Sequence, residues 1–489
     1  MFRCTLNPSL SGNNGNDSLN GGLGADILNG GAGNDVLTDG ASNGTPTPNA
    51  VFGPSQTAHP SFNPSTGWNS NDSLPRQVAD VNGDNRADII GFSNNGVFVA
   101  LGQTDGTFGS LIAANANFTR ATGWNSNDSL PRRVADVNGD NRADIIGFSN
   151  NGVFVALGQT DGTFGSLIAA NANFTPATGW NSNDSLPRQV ADVNGDNRAD
   201  IIGFSNNGVF VALGQTDGTF GPAIAANANF TRATGWNSND RLPRQVADVN
   251  GDGRADIVGF SNNGVFVALG QTDGTFSTAT LANANFTPAT GWNSNDTLLR
   301  LVADVNGDNR ADIVGFAGDG TYVALGQTDG TFGPVTLATQ QFSPQQGFTS
   351  QAQQLRLIAD IDGNGRGDIV GFGSTGVGVA ASLIVDDVLT GDAGNDRLVG
   401  GAGSDLLTGG ADADTFVFDA NAAVSGTNQI TDFNAAEGDR LEIAQAAFGS
   451  EITFNSTTGE LTVAGTYNNT LAVLTNPSGF DVNTHITLV

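Results

Sequence analysis

Short apolar clusters alternate with polar, glycine-rich stretches through the middle of the chain. Leu74 to Val81 contains one such cluster, Ile89 to Phe92 a second, Val97 to Leu101 a third and Leu111 to Phe118 a fourth. No segment shows a helical period. The Asn-Gly and Asp-Gly pairs between clusters (Asn95-Gly96, Asp105-Gly106) are hairpin turn signals. The pattern predicts four short antiparallel strands, and it repeats. Trp68, Trp124, Trp180, Trp236 and Trp292 recur every 56 residues, with Phe348 in the sixth place. Four strands per unit and six units in series predict an all-β chain with a six-bladed propeller. The sixth unit stops near Ala380 without its fourth strand. Val51 to Phe62 (VFGPSQTAHPSF) parallels the TFGSLIAANANF segment that supplies that strand elsewhere. The expectation is an N-terminal strand that completes the last blade and hides its open edge.

Each unit carries a nine-residue polar loop between two strands. In the first unit it reads Asp80-Val-Asn82-Gly-Asp84-Asn-Arg86-Ala-Asp88. Oxygen side chains fall at positions 1, 3, 5 and 9, with a backbone carbonyl available at 7, an alternation that wraps a short loop around a hard cation. The candidate calcium ligands are therefore Asp80, Asn82, Asp84 and Asp88; Asp136, Asn138, Asp140 and Asp144; Asp192, Asn194, Asp196 and Asp200; Asp248, Asn250, Asp252 and Asp256; Asp304, Asn306, Asp308 and Asp312; and Asp360, Asp362, Asn364 and Asp368. An EF-hand is excluded, because position 12 is Gly91 and the flanks read as strands. The competing reading is a set of Asx-turns capping hairpins.

A second periodicity, of nine residues, flanks the first. Asp17, Asp26 and Asp35 lie in GNNGNDSLN, GGLGADILN and GGAGNDVLT; Asp387, Asp396, Asp405 and Asp414 keep the step near the C-terminus. Glycines permit tight turns, these aspartates are candidate calcium ligands between stacked turns, and Leu19, Leu28, Leu37, Leu398 and Leu407 sit at the phase of a roll interior. The two runs either dock as one composite roll, with the propeller inserted like a loop, or stay separate.

The loop units resemble the FG-GAP (VCBS-type) repeats of integrin-like propellers over about residues 50 to 382. The nonapeptides resemble the RTX repeat, and Thr415 to Ile443 resembles the cap that follows RTX repeats. That resemblance implies export by a type I secretion machine, which reads an uncleaved C-terminus. The organisation expected is residues 1–45, N-terminal nonapeptides and linker; 46–382, the propeller; 383–418, a parallel β-roll; and 419–489, the C-terminal β cap and secretion region.

Composition sharpens this picture. Of 48 acidic residues four are Glu (Glu437, Glu442, Glu451, Glu460) and the rest Asp, and all 19 basic residues are Arg. Short carboxylates in glycine-rich turns suit calcium. A net charge of −29 argues against nucleic acid or an anionic membrane as partner. Cys4 is the single cysteine, so no disulfide forms within the chain, and no apolar stretch is long enough to span a bilayer. The N-terminus lacks an apolar signal region, consistent with the C-terminal route and an extracellular or cell-surface location.

Five units repeat Gly-Trp-Asn-Ser-Asn-Asp. A Trp face stacks on sugar rings while Asn and Asp bind hydroxyls, so Trp68, Trp124, Trp180, Trp236 and Trp292 with Asn71, Asp72, Asn127 and Asp128 are candidate carbohydrate contacts. The plan is similar to that of propeller lectins with FG-GAP-like blades. The alternative for Trp is packing between blades. Arg76 and its five equivalents are expected in a structural ion pair. A multivalent lectin or adhesin is the first functional expectation, and a calcium-stiffened surface protein the second. An enzyme is not expected: His59 and His485 are the only histidines, and neither HExxH nor GxSxG occurs.

Overall fold

The computed structural model describes residues 9–12, 14–20, 27–38, 49–385, 387–401, 404–418, 427–444, 451–464, 469–475, 477 and 479–488. Asp26, Cys4 and most of the linker Ala41 to Ala50 lie outside the described residues. The chain divides into two compact units, Phe52–Ser382 and Met1–Val51 with Leu383–Val489.

The first unit is a six-bladed propeller of four-stranded antiparallel sheets. Blade one comprises Arg76–Ala79, Asp88–Phe92, Val97–Ala100 and Ile112–Asn115. The second strand is buried along its whole length, as its DIIGF sequence requires. First strands of successive blades lie side by side, and Arg356–Ala359 meets Arg76–Ala79 to complete the circle. Blade six lacks a fourth strand of its own, and Gln56–His59 fills the place. Its register is Val377↔His59, Gly378↔Thr57 and Val379↔Gln56, with the same bulge that blade one shows between Asn115 and Ala113. The N-terminal strand therefore copies a blade's own fourth strand bond for bond.

Between blades, the chain runs through a Phe at positive φ (Phe118, φ 55), a capped 3-10 turn and a left-handed Gly (Gly123, φ 104). A bulky residue at positive φ costs energy and persists where packing over-determines it. Here Phe118 is fully buried, its ring lies 5.3 Å from that of Trp124, and its carbonyl accepts from Arg132 Nη1 (3.1 Å). Both rings press on Gly147, where a Cβ would stand 2.4 Å from Trp124 Cη2 and 2.6 Å from Phe118 Cε1.

The second unit is a parallel roll of two sheets with an antiparallel extension. One sheet runs Ser9–Ser11, Ile27–Asn29, Val388–Ala393, Leu406–Ala411, Asn428–Ile430 and Asn469–Leu474; the other runs Ser18–Asn20, Val36–Thr38, Arg397–Val399, Thr415–Phe418, Arg440–Ile443 and Ile486–Leu488. Both nonapeptide runs contribute to both sheets. Leu28 pairs with Leu389 and Leu37 with Leu398, so the composite arrangement is the one present. Leu28, Leu37, Leu398 and Leu407 share one interior with Phe416, Ile430 and Leu441, and Leu19 packs against it. No helix among the described residues is long and apolar enough to cross a membrane.

Candidate calcium and glycan sites

The nonapeptide aspartates form a ladder along one edge of the roll. The N–H of Asp17 donates to Asp35 Oδ1 (2.7 Å), that of Asp35 to Asp396 Oδ1 (2.7 Å), that of Asp396 to Asp414 Oδ1 (2.9 Å) and that of Asp414 to Asp439 Oδ1 (2.9 Å). One oxygen of each carboxylate thus bonds the next turn. The other oxygens of Asp35, Asp396 and Asp414 are buried and have no hydrogen-bond partner. Burial holds the Asp396 carboxyl above the usual carboxylate range and pushes Asp414 up to about 7, with nearby carboxylates adding to both. Buried anionic oxygens without donors fit a divalent cation, which replaces the missing partners and cancels the repulsion. On the opposite edge, Asp387 and Asp405 are buried, and Asn428 Oδ1 accepts from Asp405 N (3.0 Å).

The propeller loops are arranged differently. In blade one the Asp80 carboxylate accepts from the N–H groups of Gly83 and Asn85 (both 2.7 Å) and, more distantly, from Asn82 and Asp84 (both 3.2 Å). This is the Asx-turn geometry. Asp84 pairs with Arg86 at 2.5 Å, and Asn82 Nδ2 donates to Asp84 Oδ2 (3.1 Å). Asp88 is fully buried, taking Val81 N on one oxygen (2.9 Å) and Gly102 N on the other (2.8 Å). Burial pushes its pKa up to about 7, and its equivalents Asp144, Asp200, Asp256 and Asp368 behave alike. Position 9 thus ties the loop to the end of the third strand. In blade six, Asp362 takes position 3 and Asn364 position 5. There the oxygens of Asp360, Asp362 and Asp368 lie within 4.8 Å of one another, the one such acidic group among the described residues.

The hexapeptide Gly-Trp-Asn-Ser-Asn-Asp splits between two places. The five indoles are only 7–9 % exposed and pack on Phe and Gly, so most of each ring serves blade packing. At Trp180 and Trp236 a remaining edge lines a cavity. In blade three the cavity measures about 430 Å³ and is lined by Asn173, Phe174, Trp180, Phe210 and the hairpin Ser205-Asn206-Asn207. Blade four repeats it at about 340 Å³ with Asn229, Phe230, Trp236, Phe266 and Ser261-Asn262-Asn263. Blade six has a cavity of about 260 Å³ with Phe348, Gln341 and Gln346 instead.

Asn71, Asp72, Asn127 and Asp128 do not reach these cavities. With their equivalents they line a separate one of about 420 Å³, to which every blade contributes. Asp72 Oδ1 accepts from Ser126 Oγ (2.8 Å), Asn127 N (2.9 Å) and Asp128 N (3.0 Å), so each Asp fastens the next blade. Asn71 Oδ1 accepts from Arg76 N (3.0 Å). In unit three the two ends of the motif line different cavities, Trp180 one and Asn183 and Asp184 the other. The expected Arg ion pair is also absent among the described residues. Arg76 donates to the carbonyls of Phe62 (2.9 Å) and Gln353 (3.2 Å), and its guanidinium lies 5.1 Å from the Phe372 ring centroid. The five other blades repeat this cation–π contact.

The FG-GAP-like repeat profile matches residues 80–146, 136–202, 248–315 and 304–371. The chain belongs to the FG-GAP-like repeat proteins. This FG-GAP-like protein also carries RTX calcium-binding nonapeptide repeats, matched at residues 9–38 and 385–416. Among solved structures it is similar to an Agrocybe aegerita lectin described as specifically recognising non-reducing terminal N-acetylglucosamine. The two are 34% identical, the match covers 66% of this chain and 83% of the lectin, and the TM-score is 0.54. A Photorhabdus luminescens Tc holotoxin pore (15% identity, 69% of this chain and 15% of that one, TM-score 0.45) and a Bacillus licheniformis rhamnogalacturonan lyase (15%, 66% and 72%, 0.32) are also similar, and neither bears on function. No curated protein matches in sequence.

Sequence reasoning missed several residues of this FG-GAP-like protein. The hairpin Ser-Asn-Asn triplets that line the cavities were read only as turns. Their identical repetition in units one to four was a usable signal, since a turn needs no fixed residue at all three positions. Asp439 and Asn428, which extend the two edges of the roll, stand 25 and 23 residues from their partners rather than the 18 of a regular turn.

Proposed function

We propose that this protein is an exported, calcium-dependent, multivalent glycan-binding protein without catalytic activity. The observation that carries the reading is the cavity of blades three and four, walled by an indole edge, a Phe ring and three polar hairpin residues. An apolar wall beside a few fixed polar groups is the make-up of a small-ligand site, and the volumes fall at the lower end of the usual range of about 300–1,000 Å³ or just under it. The likeness to the lectin supports the same reading and points to glycans ending in N-acetylglucosamine. Several equal sites raise avidity without tight binding at any one of them.

A glycan array probed with the intact protein in calcium is expected to light up terminal N-acetylglucosamine. The change Asn207→Ala should then lower the number of sites measured by calorimetry with a short N-acetylglucosamine oligosaccharide. An array with no bound glycan would sink the proposal.

Export completes the reading. RTX repeats and the following cap support a type I route outward, where calcium is abundant. Deleting residues 419–489 is expected to leave the protein inside the producing cell; undiminished export of the truncation would contradict this.

A further inference from the structure

Blade four departs from its sister blades at one position beside its cavity. The residue after the hexapeptide is Ser73, Ser129 and Ser185 in the first three units, Thr297 in the fifth and Gln353 in the sixth, but Arg241 in the fourth. Arg241 is exposed, and its Nη2 donates to Asn262 Oδ1 at 3.4 Å. Asn262 lines the blade-four cavity. The guanidinium therefore stands at the rim, reaching toward a residue that faces the bound ligand in the reading above. Among the described residues Arg241 forms no ion pair. The acidic side chain beside it is already engaged: Asp240 Oδ1 accepts from Ser294 Oγ and Asp296 N (both 2.9 Å). A second exposed arginine, Arg232, opens the 3-10 turn Arg232–Thr234 that leads into the cavity residues Thr234, Gly235 and Trp236. The corresponding turn opens with Pro176 in unit three and with Arg120 in unit two, so Arg241 is what sets blade four apart.

We infer that the blade-four cavity accepts an acidic glycan, with Arg241 binding a carboxylate or sulfate carried by the sugar. The inference rests on the glycan-binding reading of the cavities and gives one of them its own ligand class. A planar guanidinium pairs with carboxylate or sulfate through two parallel N–H donors, which neither Ser nor Thr can offer. In a chain of net charge −29, an arginine without an ion-pair partner at a cavity mouth also offsets repulsion of an anionic sugar.

The test is calorimetry on the full-length protein in calcium with three oligosaccharides: a neutral one ending in N-acetylglucosamine, one carrying a uronic acid, and one carrying a sulfate ester. The acidic probes are expected to show one site per chain of higher affinity than the rest, weakened by added salt. Arg241→Ser installs the residue that three sister blades already fold with, and should lower acidic-probe affinity at that site about tenfold. Ser185→Arg should create a second such site. The uronic and sulfated arms tell which anion is preferred. If the neutral probe binds while the acidic probes show no separate site, or if that site survives Arg241→Ser, the inference fails and the glycan reading stands. If no probe binds, the reading itself fails.

Discussion

In chelator, the roll is expected to lose its protection against amide exchange, by about a hundredfold or more in strands Ile27–Asn29, Val36–Thr38, Val388–Ala393 and Arg397–Val399. The cause is the set of buried oxygens on Asp35, Asp396 and Asp414 that no donor satisfies. An unpaired buried ion costs several kcal/mol. A cation held at a hundredfold excess over its dissociation constant contributes about 2.7 kcal/mol per site, equivalent to that hundredfold change. The strongest single effect should come from Asp396→Ala. Asp396 accepts from Asp35 N across the join between the two runs, and it supplies one of the orphaned oxygens. Its loss should free Ile27–Asn29 and Val36–Thr38 first, while Arg440–Ile443, deeper in the cap, stays protected. Exchange measured by mass spectrometry, with and without calcium, checks both statements. Equal protection in calcium and in chelator would overturn the calcium account of the roll.

The sequence showed as much of this fold as its periodicities could report. A step of 56 residues exposes the blade, and the parallel between Val51 to Phe62 and the fourth-strand segments exposes the closure, because both compare like with like. The phase of Leu28 and Leu398 likewise marks the roll interior. What stayed hidden is where neighbouring residues diverge. Trp180 and Asp184 are four positions apart, yet one lines a blade cavity while the other fastens the next blade. Spacing along the chain carries no sign of that divergence. Arg76 was read as half of an ion pair because an Arg holds that position in all six units, the Phe348 unit included. Its Phe partner belongs to the preceding blade in the ring, Phe372, nearly three hundred residues away in sequence. The propeller loops had two readings, and the geometry in all six blades includes the Asx-turn. Three carboxylates converge in blade six, where Asp362 and Asn364 change places and position 3 becomes acidic.

Ala58→Asp is expected to open the propeller and drive the protein into oligomers. Ala58 sits in the strand that completes blade six. It is buried at 6 % exposure, and its carbonyl accepts from Phe108 N (3.1 Å) in blade one. It belongs to a cluster with Phe372, Val377 and Phe108, so the strand holds the last blade and the first together. A carboxylate there, without a partner, costs about 3–5 kcal/mol. Ala226 is its equivalent in blade three, equally buried, with Phe276 N donating to its carbonyl at the same 3.1 Å. The local cost of Ala226→Asp should be similar, but the outcome should differ. The strand of Ala226 continues directly from the rest of its blade, so it cannot leave without unravelling that blade. The strand of Ala58 is joined to Val377–Val379 by hydrogen bonds and packing across most of the chain's length. Once it detaches, the edge at Val377–Val379 is open, and the same strand of a second molecule fits it in the same register. Light scattering after size exclusion should therefore show oligomers for Ala58→Asp and a monomer of lowered melting temperature for Ala226→Asp. Two equally monomeric variants would mean that the ring does not depend on its N-terminal strand.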